Sequence, residues 1–86
     1  SSNRIASLIG NGIYTFIDKK TRFNDFFDDD EIGIYSSVDD LGNKIERLLS
    51  KPHLIDRYAK NGKKRYFELF NNLKITKSII DKTFLI

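Results

Sequence analysis

The sequence predicts an α/β fold that is rich in helix and carries two short parallel strands. Two runs, residues 13–17 and 32–35, are rich in the β-branched and aromatic residues typical of buried strands. The long segment between them favours parallel pairing, because a crossover of about a dozen residues or more is what parallel strands require. Apolar residues elsewhere recur at helical spacing. The expected order of elements is therefore α-β-α-β-α-α-α.

The first helix is expected to begin within residues 1–3, Ser-Ser-Asn, whose side chains can accept hydrogen bonds from free backbone N–H groups. Ile5, Leu8 and Ile9 then form one apolar stripe. Residues 10–12, Gly-Asn-Gly, are predicted to end the helix because both residue types tolerate the left-handed conformation of a helix C-terminus. The first strand follows at once.

The segment of residues 19–30 is expected to contain a short helix, since its three phenylalanines recur at helical spacing. Residues 28–31, Asp-Asp-Asp-Glu, are predicted to form a loop or the entrance of the second strand. Gly33 lies inside that strand. A glycine there weakens the strand or allows another backbone or a ligand to come close.

Three helices are predicted in the second half. The first begins at residues 37–40, Ser-Val-Asp-Asp, which combine a capping side chain with acidic residues in the first turn. It ends before Pro52, because the residue that precedes a proline avoids helical geometry. Its expected buried stripe consists of Leu41, Ile45, Leu48 and Leu49.

The next helix is expected over residues 53–61, with Leu54, Ile55, Tyr58 and Ala59 inside. Gly62 either breaks this helix or lies within a longer helix that reaches residue 70. Residues 71–72, Asn-Asn, are predicted to be a break. A last helix would then occupy residues 73–86, with an apolar end.

Eighty-six residues make at most one domain, and residues 1–86 are expected to be a single domain or a fragment of one. The chain begins with a helix, a glycine stop and a strand, which favours a piece of a larger parallel α/β domain. Two parallel strands alone leave open edges that can pair with another chain. Dimerisation of the isolated chain through those edges, or through residues 73–86, is therefore an expectation.

Composition narrows the classes of function. The absence of cysteine excludes disulfides and cysteine-based metal or redox sites, and it fits a reducing compartment. We find no signal peptide and no apolar run of the ~20 residues that a membrane helix needs. These observations favour a cytoplasmic location.

Charge is divided unevenly along the chain. Residues 1–43 hold four Lys/Arg and eight Asp/Glu, whereas residues 44–86 hold eleven and four. A basic half can meet nucleic acid or another anionic partner. The alternative function is therefore a small basic interaction module that binds nucleic acid or a protein. Lys60, Lys63, Lys64 and Arg65, with Tyr58 and Tyr66 between them, supply the phosphate contacts and stacking rings that a nucleic-acid interface needs. Solvated helix faces remain the simpler interpretation of these basic residues, because Tyr58 and Tyr66 fall on the expected buried stripe.

The order and spacing of many short motifs resemble the C-terminal part of GT-B glycosyltransferases, whose two Rossmann-like domains face each other. The nearest branch is the group 1 family, including spore-maturation-protein-like members, and the resemblance covers nearly the whole chain. The residues that carry it are Arg4-Ile-x-x-Leu-x-Gly-x-Gly12, 13–18, Phe26-Phe27, Glu31-Ile-Gly-Ile-Tyr35, Asp39-Asp40-Leu41, Lys44-Ile45, Leu48-Leu49, Pro52, Tyr58-Ala-Lys-x-Gly62, Arg65-Tyr66 and Phe70-Asn71.

This resemblance implies the donor-side segment of a bacterial, cytoplasmic transferase that uses a nucleotide-diphosphate sugar. Asn3 and Arg4 would then bind the donor diphosphate at the start of the first helix, where free N–H groups and the helix dipole favour an anion. Related enzymes often hold the ribose with a glutamate at the position of Ser7, and a serine offers only a hydroxyl. No catalytic residue is expected in this chain, because the family's base belongs to the N-terminal domain, and the isolated chain should be inactive.

The remaining candidates have weaker support. Glu31 is a further candidate for the donor site, in competition with a structural role in its loop. The acidic loop at residues 28–31 has a spacing that suits divalent metals, but the favoured architecture needs none, so no metal and no cofactor are predicted. His53, the only histidine, is expected at a helix surface and does not indicate nucleophilic catalysis.

Overall fold

The computed structural model describes residues 2–75 and the side chains of residues 4–72. Within this range the chain forms three α-helices, two strands and two short 3₁₀ helices. They are α1 (Ser2–Gly10), β1 (Phe16–Asp18), the 3₁₀ helices Lys19–Thr21 and Phe23–Asp25, β2 (Gly33–Tyr35), α2 (Val38–Leu49) and α3 (His53–Ile75). The predicted class, a helix-rich α/β fold with two short parallel strands, is confirmed.

The end of α1 follows from its Gly-Asn-Gly sequence. Gly12 adopts a left-handed backbone with φ of 77°. Its N–H bonds the Ile9 carbonyl at 3.0 Å, and the N–H of Ile13 bonds the Leu8 carbonyl at 3.1 Å. This pair of bonds is the Schellman arrangement, which satisfies carbonyls that the helix leaves free. The predicted stop of the first helix is confirmed.

The two strands pair in parallel, with Phe16 opposite Gly33 and Ile17 opposite Ile34. Because side chains alternate along a strand, the two faces of the sheet differ. One face carries the isoleucines, and Ile9 of α1 packs there. The buried core on this face is formed by Ile9, Ile17, Phe27, Ile32 and Ile34. The predicted parallel pairing is confirmed. β1 covers Phe16–Asp18, where the predicted run was 13–17, and Ile17 is its buried residue.

The crossover between the strands differs from the predicted short helix. Arg22 adopts a left-handed backbone with φ of 65° and separates the two 3₁₀ turns. The side chain of Asp18 accepts the N–H of Lys20 at 2.9 Å and starts the first turn. The helical spacing of the phenylalanines reflects packing, since the rings of Phe23 and Phe27 stack at 6.3 Å between centroids. The third of these phenylalanines, Phe26, is instead 48% exposed.

The predicted start of α2 is confirmed. The hydroxyl of Ser37 accepts the N–H of Asp40 at 3.0 Å, and the carboxylate of Asp40 accepts the N–H of Ser36 at 2.9 Å. The predicted buried stripe is wrong for Ile45 and Leu49, whose side chains are exposed. A sheet of two strands is narrow, so α2 packs on β2 with only one flank.

The predicted break at Asn71-Asn72 is wrong, because α3 continues through both residues to Ile75. Asparagine costs a helix only about 0.5 kcal/mol relative to alanine, and the packing of Tyr66 and Leu69 on the core keeps the preceding turns in place. Of the two alternatives for Gly62, the longer helix is the one observed. The rest of the predicted last helix, residues 76–86, lies outside the described residues.

Candidate functional site

The packing of α1 indicates its direction relative to the strands, and from it we infer that the amino end of α1 lies near the carboxyl ends of the strands. Near its carboxyl end, Ile9 lies beside Gly62, which also touches the carbonyl of Glu31, two residues before β2. Ile5, one turn earlier, still packs on the core. A helix whose carboxyl end lies near the amino ends of the strands has its own amino end near their carboxyl ends. Ligands of open α/β sheets bind outside the carboxyl ends of the strands.

Arg4 lies in the first turn of α1 and is exposed. It has no hydrogen-bond or ion-pair partner among the described residues. No acidic residue occupies that turn, so the positive end of the helix dipole is not neutralised there by a neighbouring carboxylate. The side chain of Asn3, the other predicted phosphate ligand, lies outside the described residues. The first turn of α1 therefore combines an available guanidinium with free backbone N–H groups.

Ser7 lies one turn after Arg4 and is also exposed. Its carbonyl accepts the side-chain amide of Asn11 at 2.8 Å, and its hydroxyl lies 3.4 Å from the same nitrogen. Residues three apart lie on one face of a helix. The two predicted residues thus share a face, and the contact with Asn11 leaves the hydroxyl of Ser7 free to donate a hydrogen bond.

Glu31 lies at the other end of the strands from the amino end of α1. It precedes β2, and its carbonyl packs against Gly62 at a point that also touches Ile9. Its carboxylate accepts the N–H of Asp28 at 2.7 Å. Burial raises the pKa of this carboxyl, with smaller contributions from the charges of Asp28 and Asp30. The structure therefore does not bring Glu31 together with Arg4.

The acidic loop at residues 28–31 gathers three carboxylates. The oxygens of Asp28, Asp30 and Glu31 lie within 4.8 Å of one another, a spacing at which they could share a hard cation. Two of the three side chains are exposed. The carboxylate of Glu31 already accepts a hydrogen bond from the backbone of the loop. A structural acidic loop remains our interpretation.

A cleft on the other face of the sheet was not predicted. It measures about 190 Å³ and lies between β2, α2 and the start of α3. Its apolar lining includes Tyr14, Phe16, Ile32, Ile34, Leu48, Leu54 and Tyr58, and its charged residues are Asp29, Lys44 and Arg47. The alternation of Tyr14 and Phe16 along the chain was the available signal, since residues two apart share one face of a strand.

In the cleft, Tyr14 packs beside two other aromatic rings. The ring of Tyr14 contacts Phe16 edge-to-face at 5.2 Å and lies 6.0 Å from Tyr58. Burial raises the pKa of Tyr14 to about 12, and the neighbouring Tyr58 and Asp29 add to this shift. Its hydroxyl therefore stays protonated near neutral pH. The ammonium of Lys44 donates to the carbonyl of Ile34 and pairs with Asp40 at 3.5 Å, so both groups serve the fold.

Other residues singled out in the sequence take structural positions. Tyr58 and Tyr66 are half-buried, as predicted for core residues, and Tyr66 packs on the main core. Gly33 accommodates the ring of Phe16 and not another backbone, since a Cβ at Gly33 would lie 2.4 Å from that ring. His53 is exposed at the start of α3, as expected.

No helix in the described part of the chain has both the length and the apolar character needed to cross a membrane. No curated protein and no solved structure matches the chain significantly. The model of one protein family, described as glycosyl transferase-like, matches residues 1–81. This match covers the helices, both strands and the crossover between them. The chain therefore belongs to the glycosyl transferase-like family.

Proposed function

We propose that this chain is the donor-side segment of a glycosyltransferase and helps to bind a nucleotide-diphosphate sugar. The observation that carries the proposal is the first turn of α1. Arg4 is exposed there and has no partner among the described residues. Membership of the glycosyl transferase-like family supports an activated sugar as the ligand.

In this proposal the donor diphosphate meets the amino end of α1. Backbone N–H groups and the helix dipole favour an anion at that position, and the guanidinium of Arg4 adds charge-assisted hydrogen bonds. Asn3 contributes a second polar side chain next to it. The same groups would stabilise the charge that develops on the leaving diphosphate during glycosyl transfer.

Ser7 is proposed to face the nucleotide, because it lies on the same exposed side of α1 as Arg4. Its hydroxyl would form a single hydrogen bond with a sugar hydroxyl. We assign Glu31 a structural role in the acidic loop and not a donor contact, because it lies at the opposite end of the strands and its carboxylate binds the N–H of Asp28.

The proposal places this segment in a GT-B architecture of a bacterial, cytoplasmic enzyme. An N-terminal domain would then supply the acceptor site and the catalytic base, and the 86-residue chain alone would transfer no sugar.

The proposal is tested by NMR shift mapping of the chain with nucleotide diphosphates and their sugar conjugates. The amides of residues 2–7 should shift most, and Arg4→Ala should weaken binding about tenfold, as expected for loss of a charge-assisted contact. Arg57→Ala is the matched control, because Arg57 is exposed on α3. Equal affinity of the Arg4→Ala variant and the wild-type chain would contradict the phosphate role.

The alternative, nucleic-acid binding, has less support. It relied on Tyr58 and Tyr66 as stacking partners beside Lys60, Lys63 and Lys64. Both tyrosines are half-buried, Tyr58 against Tyr14 and Tyr66 against the core. A gel shift with the chain at low salt separates the two functions, because phosphate contacts by lysines weaken steeply as salt is added.

A further inference from the structure

One side of α2 exposes a continuous row of apolar residues. We call the row formed by Val38, Gly42, Ile45 and Leu49 the α2 stripe. Val38 is 82% exposed, Leu49 68% and Ile45 37%. Nothing lies within 4 Å of a Cβ built on Gly42. The stripe is therefore an open apolar surface without a bulky side chain at its centre, a shape that allows another element to approach closely.

Acidic side chains border the α2 stripe on its solvent side. At 100° per residue, Asp39 and Glu46 project from the same flank of the helix. Both residues are exposed, and neither has an ion-pair partner among the described residues. The opposite flank, with Leu41, Lys44 and Leu48, is the side that packs on the rest of the molecule. A partner for this surface should be apolar with positive charges at its border.

The chain carries such a surface on α3. Lys60, Lys64 and Phe67 follow one another at helical spacing and face solvent, and we call them the α3 basic face. Phe67 is 46% exposed. Lys64 has no ion-pair partner among the described residues, whereas Lys60 pairs with Asp56 at 3.0 Å in an exposed contact. Such exposed pairs contribute little and exchange readily.

We propose that the α2 stripe binds the α3 basic face of a second copy of this chain. The apolar side chains of the stripe would cover Phe67, and Asp39 and Glu46 would face Lys60 and Lys64. If two copies exchange these contacts about a two-fold axis, each α2 meets the other copy's α3 and the assembly closes as a dimer. The sheet edges and the amino end of α1 take no part in this contact.

Sedimentation velocity of the full chain over a range of concentrations tests the proposal. The wild-type chain should dimerise reversibly. Leu49→Asp and Phe67→Asp should each weaken the dimer about tenfold or more, because each removes a large apolar side chain from the contact. Ile13→Asp is the matched control, since Ile13 is 51% exposed elsewhere on the surface. Circular dichroism verifies that each variant is folded.

A charge reversal makes the test specific. Glu46→Lys and Lys64→Glu should each weaken the dimer a few-fold, and the double variant should recover most of the loss, because the opposite charges are restored in exchanged positions. A wild-type chain that stays monomeric at every concentration would overturn the proposal. So would a dimer that none of these variants affects, which would point to association through the strand edges instead.

Discussion

At the scale of single residues, Gly62 shows how one missing side chain positions a loop. A Cβ at this position would lie 2.4 Å from the carbonyl oxygen of Glu31 and 3.6 Å from Ile9. The loop that leads into β2 can therefore lie directly on the backbone of α3. The sequence left open whether Gly62 breaks the helix, because a pattern of side chains does not reveal a close approach by a carbonyl group.

We expect Gly62→Ala to destabilise the fold. The new methyl group would displace backbone, which typically costs about 1–3 kcal/mol, and the gain in helix propensity of about 1 kcal/mol offsets only part of that. Urea denaturation should therefore show a lower free energy of unfolding. Gly42→Ala is the matched control: it also lies in a helix, but nothing occupies the space of its Cβ, so it should stabilise the protein. Equal effects of the two substitutions would contradict the packing argument.

Ser7 provides a second prediction for a single residue, which rests on the proposed donor site. We expect Ser7→Glu to strengthen binding of a nucleotide diphosphate, because a carboxylate accepts two hydrogen bonds from a ribose and each charged bond contributes about 1.5–3 kcal/mol. Titration calorimetry should show a lower dissociation constant. Ser7→Gln has a similar size without the charge and should gain less. Weaker binding by the glutamate variant would indicate that this face of α1 does not meet the ribose.

At the scale of elements, the start of α2 depends on a small network around Asp40. Its carboxylate accepts the N–H of Ser36 and pairs with Lys44. These contacts, the hydrogen bond from Ser36 first, hold the pKa of Asp40 below its ordinary value of 3.8. The network thus favours the charged form in the folded state, and it joins the end of β2 to the first turn of α2.

The lowered pKa of Asp40 predicts a pH dependence. A carboxyl whose pKa is lowered by folding stabilises the protein above the unfolded pKa, and this contribution is lost as the pH falls through the folded value. Asp40→Asn should therefore be less stable than the wild type near neutral pH and nearly equal to it in strong acid. Asp39→Asn shares the helix dipole but not these contacts and serves as the control. A constant difference across the pH range would contradict this explanation.

Glu31 should show the opposite dependence. Its pKa is raised above the ordinary value of 4.5, mainly by burial, so its contribution to stability is present at acid pH and is lost as the pH rises. Glu31→Gln can keep the hydrogen bond from Asp28 while removing the charge. We expect this variant to gain stability relative to the wild type as the pH rises from acid to neutral. Denaturation curves measured at both pH values test this, and a gain at acid pH alone would contradict it.

Sequence patterns predicted local features, such as helix caps, better than they predicted the burial of side chains or the length of α3. The stop at Gly12 and the cap at Ser37 depend on neighbouring residues only, and both were predicted correctly. The exposure of Leu49 and the continuation of α3 through Asn71 depend on which surfaces the sheet can cover and on packing far along the chain. The residues proposed for the phosphates followed from the resemblance, whereas the cleft beside Tyr14 required the arrangement of three elements.

At the scale of the whole molecule, α3 connects the two faces of the sheet. Its start lines the cleft through Leu54 and Tyr58, and its later turns pack on the core through Tyr66 and Leu69. Between these regions it crosses the loop that enters β2. With a sheet of only two strands, this crossing joins parts of the chain that are distant in sequence.

Two hydrogen bonds hold the loop to α3 at this crossing. The side chain of Asn61 donates to the carbonyl of Asp30 at 3.1 Å, and Arg65 donates to the carbonyl of Phe26 at 2.9 Å. Together with the contact at Gly62 they attach both ends of the acidic loop to one helix. If these bonds hold the acidic loop on α3, the loop and the turns of α3 around residues 61–65 should open together.

We therefore expect the double variant Asn61→Ala, Arg65→Ala to expose the loop without unfolding α1. Each lost hydrogen bond should cost about 1 kcal/mol, and a loss of 1–2 kcal/mol raises the open population about 5- to 30-fold. Hydrogen exchange of the amides of Glu31 and Ile32, which bond the carbonyl of Asp28, should accelerate by that factor. Arg57→Ala, an exposed residue on the same helix, is the control. Equal acceleration at every amide would show that the variant lowers global stability and that the crossing is not a separate unit.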